Sequence, residues 1–246
     1  MEQRHYKAIF LDLDGTLLPM DMDEFLQKYF KEVGKYAASV GLDPQRFGHA
    51  LNEGVKSMAI DTTDRMNDQV FWTNFHEIYG DDDPSIDARI DEFYETMFPH
   101  IGDGFVPNPA AARAIQAMRQ KGYRLFLTTM PMFPRAAVEH RLRWAGVDPA
   151  AFERITTYDN SFACKPDLRY YRQNIALAGC APQDILMVGN NTREDLAAME
   201  LGCDGYLVTD WLLDPDHYPI DQVKHGSLAD FADFAEALPP AACEEA

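Results

Sequence analysis

Cysteine is sparse and unpaired in this 246-residue sequence: Cys164, Cys180, Cys203 and Cys243 stand apart with no CxxC. That removes a thioredoxin-type redox motif and a zinc ribbon from consideration. Basic charge is thin as well. The 22 lysines and arginines form no cluster and face 40 acidic residues, for a net charge of −18. A nucleic-acid backbone or an anionic membrane surface would find no positive patch, so neither nucleic acid nor membrane is expected as a partner. No apolar run approaches the roughly 18 residues that a membrane span needs; the longest, such as 8–11 and 185–188, are strand-sized. The first residues lack the apolar stretch of a secretory signal, and reduced thiols in a cytoplasmic protein are the expectation. The seven histidines include no HxxxH or HxH pair, and neither a GxSxG elbow nor a Walker loop occurs.

What is present suffices for a core, with 46% hydrophobic and 12% aromatic residues over a length that suits one large or two modest domains. Ala-Ile-Phe-Leu at 8–11 reads as a buried parallel strand running into a loop at Asp12, Asp14 and Gly15. The texture then turns helical. Asp21 and Glu24 have capping-box spacing ahead of an apolar face from Phe25 to Val40 that Gly41 ends. Asp43-Pro44 opens a second helix, Thr63 or Asp64 a third and Ser85 a fourth. From Asn108-Pro109 the pattern is helix and strand in alternation: helix to Gly122, strand 123–127, helix 136–144, strand near Ile155, helix 167–178, strand 185–188, helix 194–201, strand 206–208. Such alternation predicts an α/β fold, a doubly wound parallel sheet with helices on both faces, to which the first strand also belongs. The helical block is then an insertion after that strand. Glycine and proline between the two regions mark 18–21 and 102–107 as expected hinges.

In an open parallel sheet, ligands bind beyond the carboxyl ends of the strands. Those positions carry Asp12-Leu13-Asp14-Gly15-Thr16, Thr128-Thr129, Cys164-Lys165-Pro166 and Gly189-Asn190-Asn191-Thr192-Arg193-Glu194-Asp195. Two carboxylates two positions apart on an extended chain lie on one side and repel each other unless a cation sits between them. Magnesium is the expected cation, Asp12 the expected nucleophile toward phosphorus, and Asp14 the expected acid and base. Each residue taken alone also has a plainer reading. Asp-Gly is ordinary turn chemistry, Thr128 can be a strand-end hydroxyl, Lys165 a solvated charge, and Glu194 and Asp195 can favour a helix N-terminus through its dipole.

In their order and at these strand ends, the four segments resemble the signature motifs of the haloacid dehalogenase-like hydrolase superfamily, over about residues 6–212, and the inserted helices resemble its mobile cap. The resemblance implies a Rossmann-like core at 1–18 and 106–246 with a helical cap at 19–105. It implies a magnesium-dependent phosphatase of a small phosphorylated metabolite, working through an aspartyl-phosphate on Asp12. Thr128 and Lys165 then join Asp12 and Asp14 as catalytic residues, Thr129 and Gly15 bind the substrate, and Asp12, Asp14, Asn190 and Asp195 hold the metal. A dehalogenase fits less well because that branch does not need Asp14. A phosphomutase on the same core, or a binding protein on a weakened scaffold, stays open. The sequence departs from the family at Asn190, where relatives commonly carry Asp. An amide oxygen brings no charge, so metal affinity is expected to fall.

Overall fold

Residues 5–80 and 85–241 are described by the computed structural model; Cys243 lies outside them. The first strand, β1 (Ala8–Leu11), is buried along its whole length, as a run of four apolar residues demands when both faces are covered. It lies between β2 (Arg124–Leu127) and β4 (Ile185–Gly189), with β3 (Arg154–Ile155) outside β2 and then β5 (Asp204–Val208) and β6 (Lys224–Gly226) outside β4. The order is β3-β2-β1-β4-β5-β6 and every pair is parallel. The direction in which successive strands are added therefore reverses beside β1, the topological switch point of a doubly wound sheet. Leu11 pairs with Leu127 on one side and Val188 on the other. Asp12, Thr128 and Gly189 thus leave three neighbouring strands at the same level.

Alternation along the strands separates the two faces. Ile9, Leu11, Leu125, Leu127, Leu186 and Val188 join one hydrophobic cluster; Ala8, Phe10, Phe126 and Met187 join another with Tyr170 and Tyr171. These tyrosines stand on α7 (Leu168–Ala178), whose N-cap is Asp167. The first face is covered by α5 (Pro109–Gln120), α6 (Arg135–Trp144) and α8 (Leu228–Ala237) together with the inserted helices.

The insertion comprises α1 (Met22–Ser39), α2 (Pro44–Ile60), α3 (Asn67–Tyr79) and α4 (Ser85–Thr96). Asp21 caps α1 by accepting the Glu24 N–H at 3.0 Å, and Asp43 caps α2 in the same way. Phe25, Tyr29, Phe93 and Phe98 belong to the same hydrophobic cluster as Leu11 and Val188, so cap and core share one apolar interior. No helix among the described residues is long and apolar enough to cross a membrane.

Four elements differ from the sequence reading. α3 begins at Asn67 rather than at Thr63 or Asp64, because the core supplies acceptors there: Asn67 N–H donates to Ser161 O at 2.8 Å and Asp68 N–H to Tyr158 O at 3.0 Å. The segment expected as a helix from Glu194 is a 3₁₀ run at Leu196–Leu201. β6 and α8 were not anticipated. β6 is three edge residues, two of them exposed, without an alternating pattern, whereas α8 carries a legible start in the Ser227–Asp230 capping box.

Candidate active site

The loop after β1 is folded back tightly, with the N–H groups of Thr16, Leu17 and Leu18 all directed at Leu13 O. Gly15 stands at φ 77°, a left-handed conformation that glycine adopts without steric cost. A Cβ there would also lie 2.3 Å from Asn190 Nδ2, so the residue lets the β1 and β4 loops close on each other. Gly189 acts similarly. A Cβ on it would overlap the Asp195 carboxyl at 2.1 Å.

Asp12 projects into a buried polar cluster. Its Oδ1 accepts from Lys165 Nζ at 2.8 Å and its Oδ2 from the Thr16 hydroxyl at 3.1 Å. Lys165 also reaches Asp195 Oδ1 at 2.6 Å, while Asp195 Oδ2 accepts the Asn191 N–H at 2.9 Å. Burial works against the Lys165 charge, but the two carboxylates outweigh it and hold its pKa well above the ordinary lysine value. Burial likewise raises the Asp195 carboxyl, with Lys165 opposing. Both Asp195 oxygens are engaged, one by Lys165 and the other by the Asn191 N–H, an arrangement in which Asp195 orients Lys165.

Asp14 has a cation of its own. Its Oδ2 pairs with Arg141 Nη1 from α6, the two side chains only 7% and 2% exposed. The repulsion between Asp12 and Asp14 that called for a bound cation is thus met by Lys165 on one carboxylate and Arg141 on the other. Asp14 Oδ1 remains buried without a partner, and so does Arg141 Nη2. Burial raises the Asp14 carboxyl, Arg141 opposing and Asp12 adding to the shift. Its partner was not anticipated from the sequence, although a signal existed. Arg141 stands in helical register with Ala137, Val138, Leu142 and Ala145, all buried, and a cation on the apolar stripe of a helix asks for an anion.

The two threonines at the end of β2 face opposite ways. The Thr128 hydroxyl, expected to face the substrate, turns inward to Leu11 O at 3.4 Å and Met187 Sδ at 3.5 Å. Alternation along the strand explains it, since Thr128 shares the face of Phe126 and Thr129 that of Leu127. The Thr129 hydroxyl, on the opposite face, is buried without a partner.

Asn190 donates through Nδ2 to Trp211 O at 2.6 Å, which turns its Oδ1 toward the Thr16 hydroxyl at 3.1 Å. Thr16 therefore faces two acceptors, Asp12 Oδ2 and Asn190 Oδ1, with one proton to give. Converging oxygen donors of this kind suit a hard cation such as magnesium, which takes one or two carboxylates and fills its remaining positions with water and phosphate. The donor set fits in type and is weak in charge. Among the described residues no group of three or more His, Cys, Asp or Glu side chains is arranged to hold a metal.

Glu194, not singled out as catalytic from the sequence, borders the same site. Burial, opposed by Lys165 and assisted by Asp195 and Asp12, pushes its carboxyl up to about 7. Between core and cap, Asp14, Arg141, Asn191 and Glu194 line a cavity of about 310 Å³. A larger depression of about 460 Å³ lies along α5 near Arg119 and Val147. It contains none of these groups and has no comparable chemistry.

The site can direct a carboxylate at an electrophile beside a fixed ammonium, with a second carboxyl of raised pKa two residues away. A family model described as haloacid dehalogenase-like hydrolase matches residues 6–201. The pyrophosphatase PpaX of Bacillus velezensis is 25% identical over 212 residues, 82% of each chain. Among solved structures, a HAD phosphatase from Thermococcus onnurineus superposes with a TM-score of 0.57 at 16% identity, covering 95% of this chain and 99% of that one. An L-2-haloacid dehalogenase from Xanthobacter autotrophicus gives 0.53 at 14% identity, covering 95% and 99%.

Proposed function

The chain belongs to the haloacid dehalogenase-like hydrolases, and from that premise we propose that it hydrolyses a small phosphate monoester in two steps through Asp12. The observation that carries this reading is the division of two neighbouring carboxylates between two buried cations, Asp12 on Lys165 and Asp14 on Arg141. The division leaves Asp14 Oδ1 unpaired. The pyrophosphatase relative supports phosphorus as the target.

An Asp12 oxygen attacks phosphorus, the bond to the alcohol oxygen breaks, and that oxygen takes a proton from Asp14 Oδ1. Arg141 fixes the other oxygen of Asp14, so the proton is carried at a defined place. In the second step Asp14 removes a proton from water as the water oxygen attacks phosphorus. The bond between phosphorus and Asp12 then breaks, releasing phosphate. Lys165 offsets the charge of Asp12 beside an anionic substrate, and the Thr129 hydroxyl and N–H face the phosphoryl oxygens. Asp12, the backbone carbonyl of Asp14 and Asn190 would hold magnesium, whose chemistry is to neutralise phosphoryl charge.

Release of phosphate from aryl, sugar and nucleotide phosphates, with magnesium and with chelator, tests the reading. Activity lost in chelator and abolished by Asp12→Asn, with the fold of the variant intact by circular dichroism, is the expected outcome. Asn190 favours a second reading, displacement of halide from carbon by Asp12 without a metal. Chloride release from 2-chloropropionate that is insensitive to chelator would establish it. Silence toward all substrates, with no magnesium binding, would leave a binding protein on a hydrolase scaffold.

A further inference from the structure

The cavity between cap and core carries information about the group attached to the phosphate. At about 310 Å³ it is at the small end of ligand pockets. Its cap wall is built from carbon, with Leu26, Phe30, Leu51, Val55 and Phe71 among its members. The phenol groups of Tyr29 and Tyr94 on that wall are already hydrogen-bonded to each other at 2.7 Å. Few donors or acceptors remain there for a substrate with many hydroxyls. The unpaired polar atoms belong to the core instead, Asp14 Oδ1 and Arg141 Nη2, on two residues that also line the cavity.

A polyol placed in this cavity would exchange water for carbon at most of its oxygens, and desolvated hydroxyls without partners weigh against binding. An alkyl or aryl group meets no such penalty and gains from leaving water. We infer that the substrate is the phosphate ester of an apolar alcohol or phenol, its hydrocarbon group against the cap wall and its ester oxygen near Asp14 and Arg141. This inference rests on the phosphatase reading above.

The test compares kcat/KM for n-alkyl phosphates from ethyl to hexyl and for phenyl phosphate with glycerol 3-phosphate and glucose 6-phosphate. The expected result is a rise of about fourfold per methylene until the cavity is full, with both polyol esters far below hexyl phosphate. Polyol esters turned over as well as the alkyl ones, or no dependence on chain length, would overturn the inference and leave the phosphatase reading standing. If no ester is hydrolysed, the phosphatase reading fails. Calorimetry with hexyl and glycerol phosphonates then judges the cavity separately. Tighter binding of hexyl phosphonate supports an apolar ligand, and equal or weaker binding rejects it. In Val55→Trp, which fills the cavity, the binding advantage of the hexyl chain should vanish. The wild-type phosphonate series decides the matter if that variant does not fold.

Discussion

Asn190 donates one side-chain hydrogen bond whose direction determines what a carboxylate would do in its place. Its Nδ2 donates to Trp211 O, so Asn190→Asp sets an anionic oxygen against a carbonyl while placing a charge beside the two oxygens that face Thr16. Losing the donor costs ~1–3 kcal/mol, whereas the added charge strengthens the hold on a hard cation. The variant should therefore melt lower in chelator and recover as magnesium is added, with tighter magnesium binding by calorimetry. Unchanged magnesium affinity would mean that position 190 does not face the metal. Glu194 gives a second test at this scale. Its pKa of about 7 stands above the ordinary 4.5, so between these values the folded state binds more protons than the unfolded state. Stability then falls as pH rises from 4.5 to 7 and is level above. In chelator, Glu194→Gln should flatten that slope and be more stable than wild type at pH 8 by roughly 1–3 kcal/mol; a slope equal to wild type would assign it to other groups. Asp12, Asp14 and Lys165 were legible because strand ends expose whatever follows them. Arg141 and the inward turn of Thr128 were missed because they show only in the period of a whole element, a cation on an apolar helix stripe and alternation along β2.

Among the elements, α3 shows why boundaries resist sequence reasoning. Thr63 and Asp64 are suitable caps in isolation, yet the segment before Asn67 is held open from outside. Arg169, beside the N-cap of α7, donates to Asp61 O at 2.7 Å and Thr63 O at 2.9 Å, and Asn67 Nδ2 reaches Pro131 O at 3.0 Å. The carbonyls that would have begun a helix at 63 are thus engaged by the core. β1, β2 and β4, by contrast, were legible nearly to the residue, because an apolar run covered on both faces has no other stable arrangement. β6 escaped notice because its pairing with β5, rather than its own composition, makes it a strand. Arg169→Ala should release the 61–66 loop. The expected result is faster hydrogen exchange at the amides of Asn67 and Asp68, with a loss of ~1–2 kcal/mol in stability. Exchange at those amides matching wild type would show that Asn67 alone fixes the start of α3.

At the scale of the molecule, the sequence distinguishes a helical insertion from a parallel sheet but says little about how firmly they join. Phe25 lies edge-on to Phe133 and to Trp144, and Phe98 stacks on Trp144 with centroids 5.3 Å apart. An opening motion must part these rings and expose them to water, so the closed arrangement is favoured when no ligand holds the cap away. The second expected hinge is also shorter than glycine and proline content suggested. A Cβ on Gly102 would lie 2.1 Å from the Trp144 ring, which makes Gly102 a packing site. Freedom is left to Gly104, at φ 99°, and the exposed Val106. Gly102→Ala should push the Trp144 indole out of its stack at a cost of ~1–3 kcal/mol, as overpacking does. The cap should then open more often while the sheet remains intact. Hydrogen exchange in α1 and α4 should accelerate, exchange in β1 and β4 should not, and tryptophan emission should shift to the red. If all four segments accelerate together, cap and core unfold as one unit and the 102–107 segment is no hinge. If none does, Trp144 has room to yield and the stack on Phe98 does not hold the cap shut.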